Sequence, residues 1–139
     1  MNKKVKILDD NQLDRKINRL AWEIYEKNLN ETKIVLIGVA SRGLKLAKDL
    51  ASSLEEISKT RVKVGSLELD KDNLVDTEIK LDLPVKEYKD QVVILCDDVL
   101  NSGKTLMYVV RYFLDVSVTK LSTLGSGEVT GASRLKGTN

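Results

Sequence analysis

The chain has 139 residues, 42% hydrophobic and 32% charged, with a formal net charge of +2. That suffices for one domain with a real core, and the near-balanced charge calls for no nucleic-acid or membrane partner beyond a local basic patch. Histidine is absent, which excludes histidine bases and the commonest metal ligand, and the single cysteine excludes a disulfide framework.

In chain order, Val5 to Leu8 is a short apolar piece, followed by Asp9, Asp10 and Asn11 as candidate helix caps. Leu13, Ile17, Leu20, Ile24 and Leu29 then recur at helical spacing, widened by Ala21 and Tyr25. Trp22 falls on the opposite side of this helix from Leu13. Two readings of it stay open: contact with a partner subunit, or cover by the N-terminal segment.

Lys33 to Val39, KIVLIGV, reads as a strand buried on both faces. It runs into a glycine-bearing loop, Gly38 to Gly43, and then a helix with Leu44, Ala47, Leu50, Ala51, Leu54 and Ile57 on one face. A strand, a loop and a helix N-terminus gather backbone N–H groups at the positive end of the helix dipole, a setting that suits a phosphate. Arg42 adds a cation there. Arg61 to Leu69 is expected to be another strand. Asp70 to Asp90 is a polar excursion containing the only proline, Pro84, and reads as a functional lid. Within it Ile79, Leu81 and Leu83 alternate with polar residues, the period of a half-exposed strand.

The stretch VVILCDDVLNSGKT, Val92 to Thr105, carries the strongest signal. Val93, Ile94, Leu95 and Cys96 form a continuous apolar run, again a buried strand, and Cys96 reads as a small buried hydrophobe. Asp97 and Asp98 follow at its end, then Asn101, Ser102, Gly103, Lys104 and Thr105 open a helix expected from about Gly103 to Leu114. The helix N-terminus suits a phosphate. The acids suit sugar hydroxyls or a hydrated magnesium ion. A P-loop is excluded, because Asp98 stands where that motif requires glycine. Val116 to Leu124 is a last candidate strand. From residue 125 the chain is rich in glycine and serine and is expected to be a loosely ordered tail.

Strands alternating with helices imply an α/β fold: a mostly parallel sheet with helices on both faces, binding ligands at the carboxyl ends of its strands. The expected division is a domain over 1–124 and a tail over 125–139. The basic N-terminus lacks the apolar run of a signal peptide and no segment approaches membrane-spanning length. A cytoplasmic protein without a membrane partner is therefore expected.

The run VVILCDDVLNSGKT resembles the ribose-phosphate signature of the type I phosphoribosyltransferases, which use phosphoribosyl pyrophosphate (PRPP). With RLAWEIYEKN, IVLIGVASRGLKLAKDLA and VGSLEL, the resemblance covers about residues 4 to 122. It is greatest to the bacterial uracil phosphoribosyltransferase and pyrimidine operon attenuation regulator group. It implies transfer of phosphoribosyl from PRPP to a nucleobase, a pyrimidine first, with pyrophosphate released, magnesium as cofactor, and a homodimer or higher oligomer.

By position, the resemblance assigns Asp97 and Asp98 to the ribose hydroxyls and magnesium. Asn101, Ser102, Gly103, Lys104 and Thr105 would wrap the 5′-phosphate. Ala40, Ser41, Arg42 and Gly43 would hold the pyrophosphate, with Arg42 offsetting its growing charge. Asp97, Asp98 and Arg42 are the candidate catalytic residues, acting by positioning and electrostatics. Asn101 replaces the acid that 6-oxopurine relatives carry in this loop, which points away from hypoxanthine or guanine. The tyrosine-arginine pair of the regulators' flexible loop is absent, with Lys71 the nearest basic residue. The Gly/Ser-rich tail stands where the family builds its base pocket. The alternative reading is a weakly catalytic PRPP- or nucleotide-sensing regulator that binds RNA.

Overall fold

The computed structural model describes residues 10–68, 79–96, 109–113, 116, 118–125 and 128–132. The elements in chain order are α1 (Asp10–Lys27), β1 (Lys33–Val39), α2 (Ala40–Ile57), β2 (Arg61–Glu68), β3 (Lys80–Leu81), α3 (Val85–Tyr88), β4 (Val92–Cys96), β5 (Lys120–Gly125) and β6 (Glu128–Ala132). Residues 109–113 are helical as well. The strands form one sheet in the order β3-β2-β1-β4-β5-β6. The four inner strands are parallel, and β3 and β6 pair antiparallel at the edges.

The continuous apolar runs form the sheet centre, as expected for strands covered on both faces. Every residue of β4 is buried, and in β1 only Lys33 is not. Alternate residues feed two cores. On one face Ile34, Leu36 and Ile94 pack with Ile17, Leu20 and Ile24 of α1 and Leu50 and Leu54 of α2. On the other, Val35, Ile37, Val93 and Leu95 meet Tyr88, Val109 and Phe113. The Tyr88 hydroxyl shares a 3.0 Å hydrogen bond with Tyr112, and both rings stack edge-on against Phe113. Burial and that hydrogen bond push the Tyr88 phenol well above the ordinary tyrosine range. At the end of α1, the buried Asn28 amide donates to Ile24 O at 2.8 Å, and Lys120 Nζ donates to Lys27 O at 3.1 Å. Carbonyls that a helix end leaves without intrahelical donors are thereby satisfied.

Several expectations shift. Leu13 and Leu29 are exposed rather than core, Leu29 because it lies beyond the end of α1. Trp22 is 41% exposed, with its ring edge-on to Tyr25. The polar excursion contains a short helix, α3, that the alternation of residues 79–83 does not reveal; Pro84 occupies its N-cap with extended backbone. The last parallel strand starts at Lys120, not Val116, because Thr119 is tied down first. Its amide donates to Gln91 O and its hydroxyl to Asp90 O, both at 2.9 Å. Residues 128–132, within the stretch expected as a tail, form β6. Only two residues separate the paired Gly125 and Glu128, the length of a tight hairpin connection. Val5 to Leu8, residues 70–78 and the first turns of the helix expected from Gly103 lie outside the described residues. Among the described residues no helix is long and apolar enough to cross a membrane.

Candidate functional site

The site follows from strand order. The chain leaves β1 through α2 to β2 on one side, and later returns to place β4 on the other side of β1. α2, which follows β1, packs on one face of the sheet, and the helical stretch 109–113, which follows β4, packs on the other. In open α/β sheets such a switch point places the ligand crevice at the carboxyl ends of the two strands. Val39 and Cys96 are the last residues of the two strands, and Gly38 pairs with Cys96 across the ladder.

The expected loop after β1 is replaced by a direct strand-to-helix junction. Ala40 takes φ 63°, in the left-handed region, and reverses the chain in a single residue, so Ala40 to Gly43 form the first turn of α2. A non-glycine residue there is uncommon and costs free energy, typically ~1–3 kcal/mol, and such residues cluster at functional sites. A left-handed residue beside helical ones turns successive N–H groups toward one point, the geometry of an anion-binding nest.

Two glycines make the junction possible. A Cβ on Gly38 would lie 2.3 Å from Leu44 Cα, so only glycine lets α2 start against the strand end. A Cβ on Gly43 would lie 2.3 Å from the carbonyl oxygen of Cys96. The first turn of α2 is therefore seated on the end of β4, at the point from which the chain continues to Asp97 and Asp98. Cys96 itself is fully buried, its thiol donating weakly to Ile94 O at 3.9 Å. Its carbonyl shapes the site.

The electrostatics of this turn favour an anion. Val39 at the N-cap makes no side-chain cap hydrogen bond, and the first turn of α2 holds no acidic residue. The amide donors of that turn thus meet no carboxylate from the turn itself at the positive end of the helix dipole. Arg42 is exposed on the same turn. Of the residues expected at the site, Ala40, Arg42, Gly43 and the backbone of Ser41 are brought together here. Asp97, Asp98, Asn101, Ser102, Gly103, Lys104 and Thr105 lie outside the described residues. The helical stretch 109–113 is anchored by buried Val109 and Phe113 on the sheet face opposite α1 and α2. What the sequence reading missed is the contact between Gly43 and Cys96. Its only sequence signal is the pair of glycines flanking the strand-to-helix junction.

Comparison with known proteins agrees with this layout. The chain is 40% identical over 111 residues to the bifunctional protein PyrR of Clostridium acetobutylicum, covering 76% of this chain and 62% of that relative. It is 35% identical to the bifunctional protein PyrR of Bacillus subtilis, covering 84% and 68% respectively. The chain thus spans about two thirds of the length of these relatives. In fold it matches a hypoxanthine-guanine phosphoribosyltransferase from Bacillus anthracis with a TM-score of 0.73 at 22% identity, over 88% of this chain and 69% of that one. Residues 5–124 match the phosphoribosyl transferase domain, most of the chain, and the chain therefore belongs to the phosphoribosyl transferase domain family.

Proposed function

We propose that the chain binds magnesium-PRPP in the crevice between β1 and β4 and transfers its phosphoribosyl group to a nucleobase, with a pyrimidine as acceptor. The observation that carries this reading is the seating of Gly43 on the Cys96 carbonyl. It joins an anion-binding helix turn to the strand end that continues into two adjacent carboxylates. Pyrophosphate belongs at the amides of Ala40 to Gly43, with Arg42 offsetting negative charge as the leaving group departs. Asp97 and Asp98 take the ribose hydroxyls, and Asn101 to Thr105 take the 5′-phosphate.

A carboxylate pair beside a bound pyrophosphate is a donor set suited to magnesium, which keeps several waters and binds through one or two acids plus substrate phosphates. Bound there, the ion would offset charge on the pyrophosphate. The chain's own residues orient PRPP for in-line attack by the base. The resemblance of the sequence to the bacterial uracil phosphoribosyltransferase and pyrimidine regulator group supports a pyrimidine acceptor, as does Asn101 in place of an acid. The purine enzymes among the solved structures share the fold at low identity and do not bear on the base.

Titration of the purified chain with PRPP, with and without magnesium, tests the reading. Saturable, magnesium-dependent binding followed by pyrophosphate release with uracil is expected. Absence of PRPP binding overturns it. A second reading is a weakly catalytic PRPP- or nucleotide-sensing regulator that binds RNA as a dimer or larger oligomer; a second role of some kind fits the word bifunctional in the relatives' name. Salt-dependent binding to a structured RNA is its signature, and a flat response counts against it.

A further inference from the structure

At the far end of β2 from the crevice, the sheet edge carries no further strand among the described residues and is basic. The Arg61 amide donates to Thr32 O beside β1, whereas Ser66 exchanges hydrogen bonds outward with Asp82. Both polar groups of a strand residue point the same way, so Val62 and Val64 also present their N–H and C=O outward. β3 reaches only Leu67 and Glu68, so among the described residues no strand pairs with this part of the edge. The side chains of Val62 and Val64 pack toward α1 and α2, while Arg61 and Lys63 point to the opposite face and are exposed.

Cations converge on that face from three elements. Lys33 of β1 pairs with Glu87 of α3 at 3.1 Å, and the hydrogen bond from Lys33, aided by the charges of Lys63 and Lys86, holds the Glu87 carboxyl below its usual range. Of the two carboxylates Glu87 and Asp82, the first is engaged by Lys33 and the second accepts from the Ser66 amide further along the edge, and Arg61, Lys63 and Lys86 leave the corner positive. Lysines on an edge strand also discourage unwanted pairing. A single edge lysine achieves that, without cations gathered from β1 and α3. Pairing of β2 with the same strand of a second copy would set these like charges against each other.

We infer that the open edge of β2 at Val62–Val64 docks an extended acidic segment of a partner protein, added to the sheet as a further strand. The outward amides and carbonyls supply main-chain hydrogen bonds, and Arg61, Lys63 and Lys86 read carboxylates on alternate residues of the incoming strand. This surface lies away from the crevice and stands whether or not the chain turns over PRPP.

The test uses the full chain, isotopically labelled, and a short synthetic peptide alternating glutamate with valine and threonine. Saturable binding is expected, with the Val62 and Val64 amides becoming protected from hydrogen exchange. Val64→Pro removes an outward N–H that β1 does not use, and is expected to weaken binding by about tenfold. The double substitution Arg61→Glu, Lys63→Glu is expected to weaken it by about a hundredfold, with melting temperature and PRPP binding kept as fold controls. Absence of saturable peptide binding overturns the inference. So does stronger binding of a single-stranded RNA of similar length with the Val62 and Val64 exchange rates unchanged, which would make the corner a phosphate-binding surface instead.

Discussion

Replacing Gly43 with alanine sets two known effects against each other. Gly43 lies in the first turn of α2, where alanine is favoured over glycine by up to about 1 kcal/mol on helix propensity alone. The added Cβ, however, would sit 2.3 Å from Cys96 O and 3.3 Å from both Cys96 C and Gly38 C. All three are backbone atoms in the sheet centre, and none can rotate away as a side-chain tip can. Restoring an ordinary contact of about 3.5 Å requires the turn and the β4 end to separate by about 1 Å. Overpacking of this kind costs ~1–3 kcal/mol, so the net effect is a loss of stability of up to about 2 kcal/mol rather than a gain. A misplacement of about 1 Å between positioning groups costs about a hundredfold in function.

The assay is chemical denaturation together with calorimetric titration of PRPP in magnesium. Gly65→Ala is the control. There the crowding atoms nearest the Cβ belong to the Leu83 side chain, 2.6 and 2.8 Å away, which can yield, so a small loss of stability with unchanged PRPP affinity is expected. If Gly43→Ala is stabilising and binds PRPP as the parent does, then the seating of α2 on β4 does not build the site.

Other substitutions probe separate parts of the structure. Asp98→Asn removes a charged contact of about 1.5–3 kcal/mol and is expected to weaken PRPP binding by at least tenfold without lowering the melting temperature; calorimetry at saturating magnesium checks both. Leu54→Ala empties a fully buried position between α2 and the sheet and is expected to cost ~2–5 kcal/mol in urea denaturation. Tyr88 carries a pH signature. Its pKa is raised in the folded state, so the unfolded chain loses its proton first, near pH 10, and stability falls as pH rises beyond that point. Tyr88→Phe is expected to flatten this alkaline decline in denaturant midpoints between about pH 9 and 11, at a cost of about 1 kcal/mol for the lost hydrogen bond to Tyr112.

The sequence by itself determined the kind of sheet. Runs such as KIVLIGV and VVILC are too continuous to be half-exposed, and a strand buried on both faces demands helices above and below it. It also supplied the candidate chemistry, since paired acids followed by small and polar residues form a local pattern readable along the chain. Only the tertiary structure decided which strands are neighbours. An apolar run reports that a strand is covered, not by what, so the placement of β4 beside β1 rather than β2 is invisible in either segment. Glycines carry no pattern of their own, and the need for one at position 43 arises solely from a carbonyl 53 residues later in the chain. The same holds for the start of β5, which depends on hydrogen bonds from Thr119 to Asp90 and Gln91, far away in sequence. Local chemistry is written in the order of residues, whereas the seating of α2 on the end of β4 depends on long-range packing.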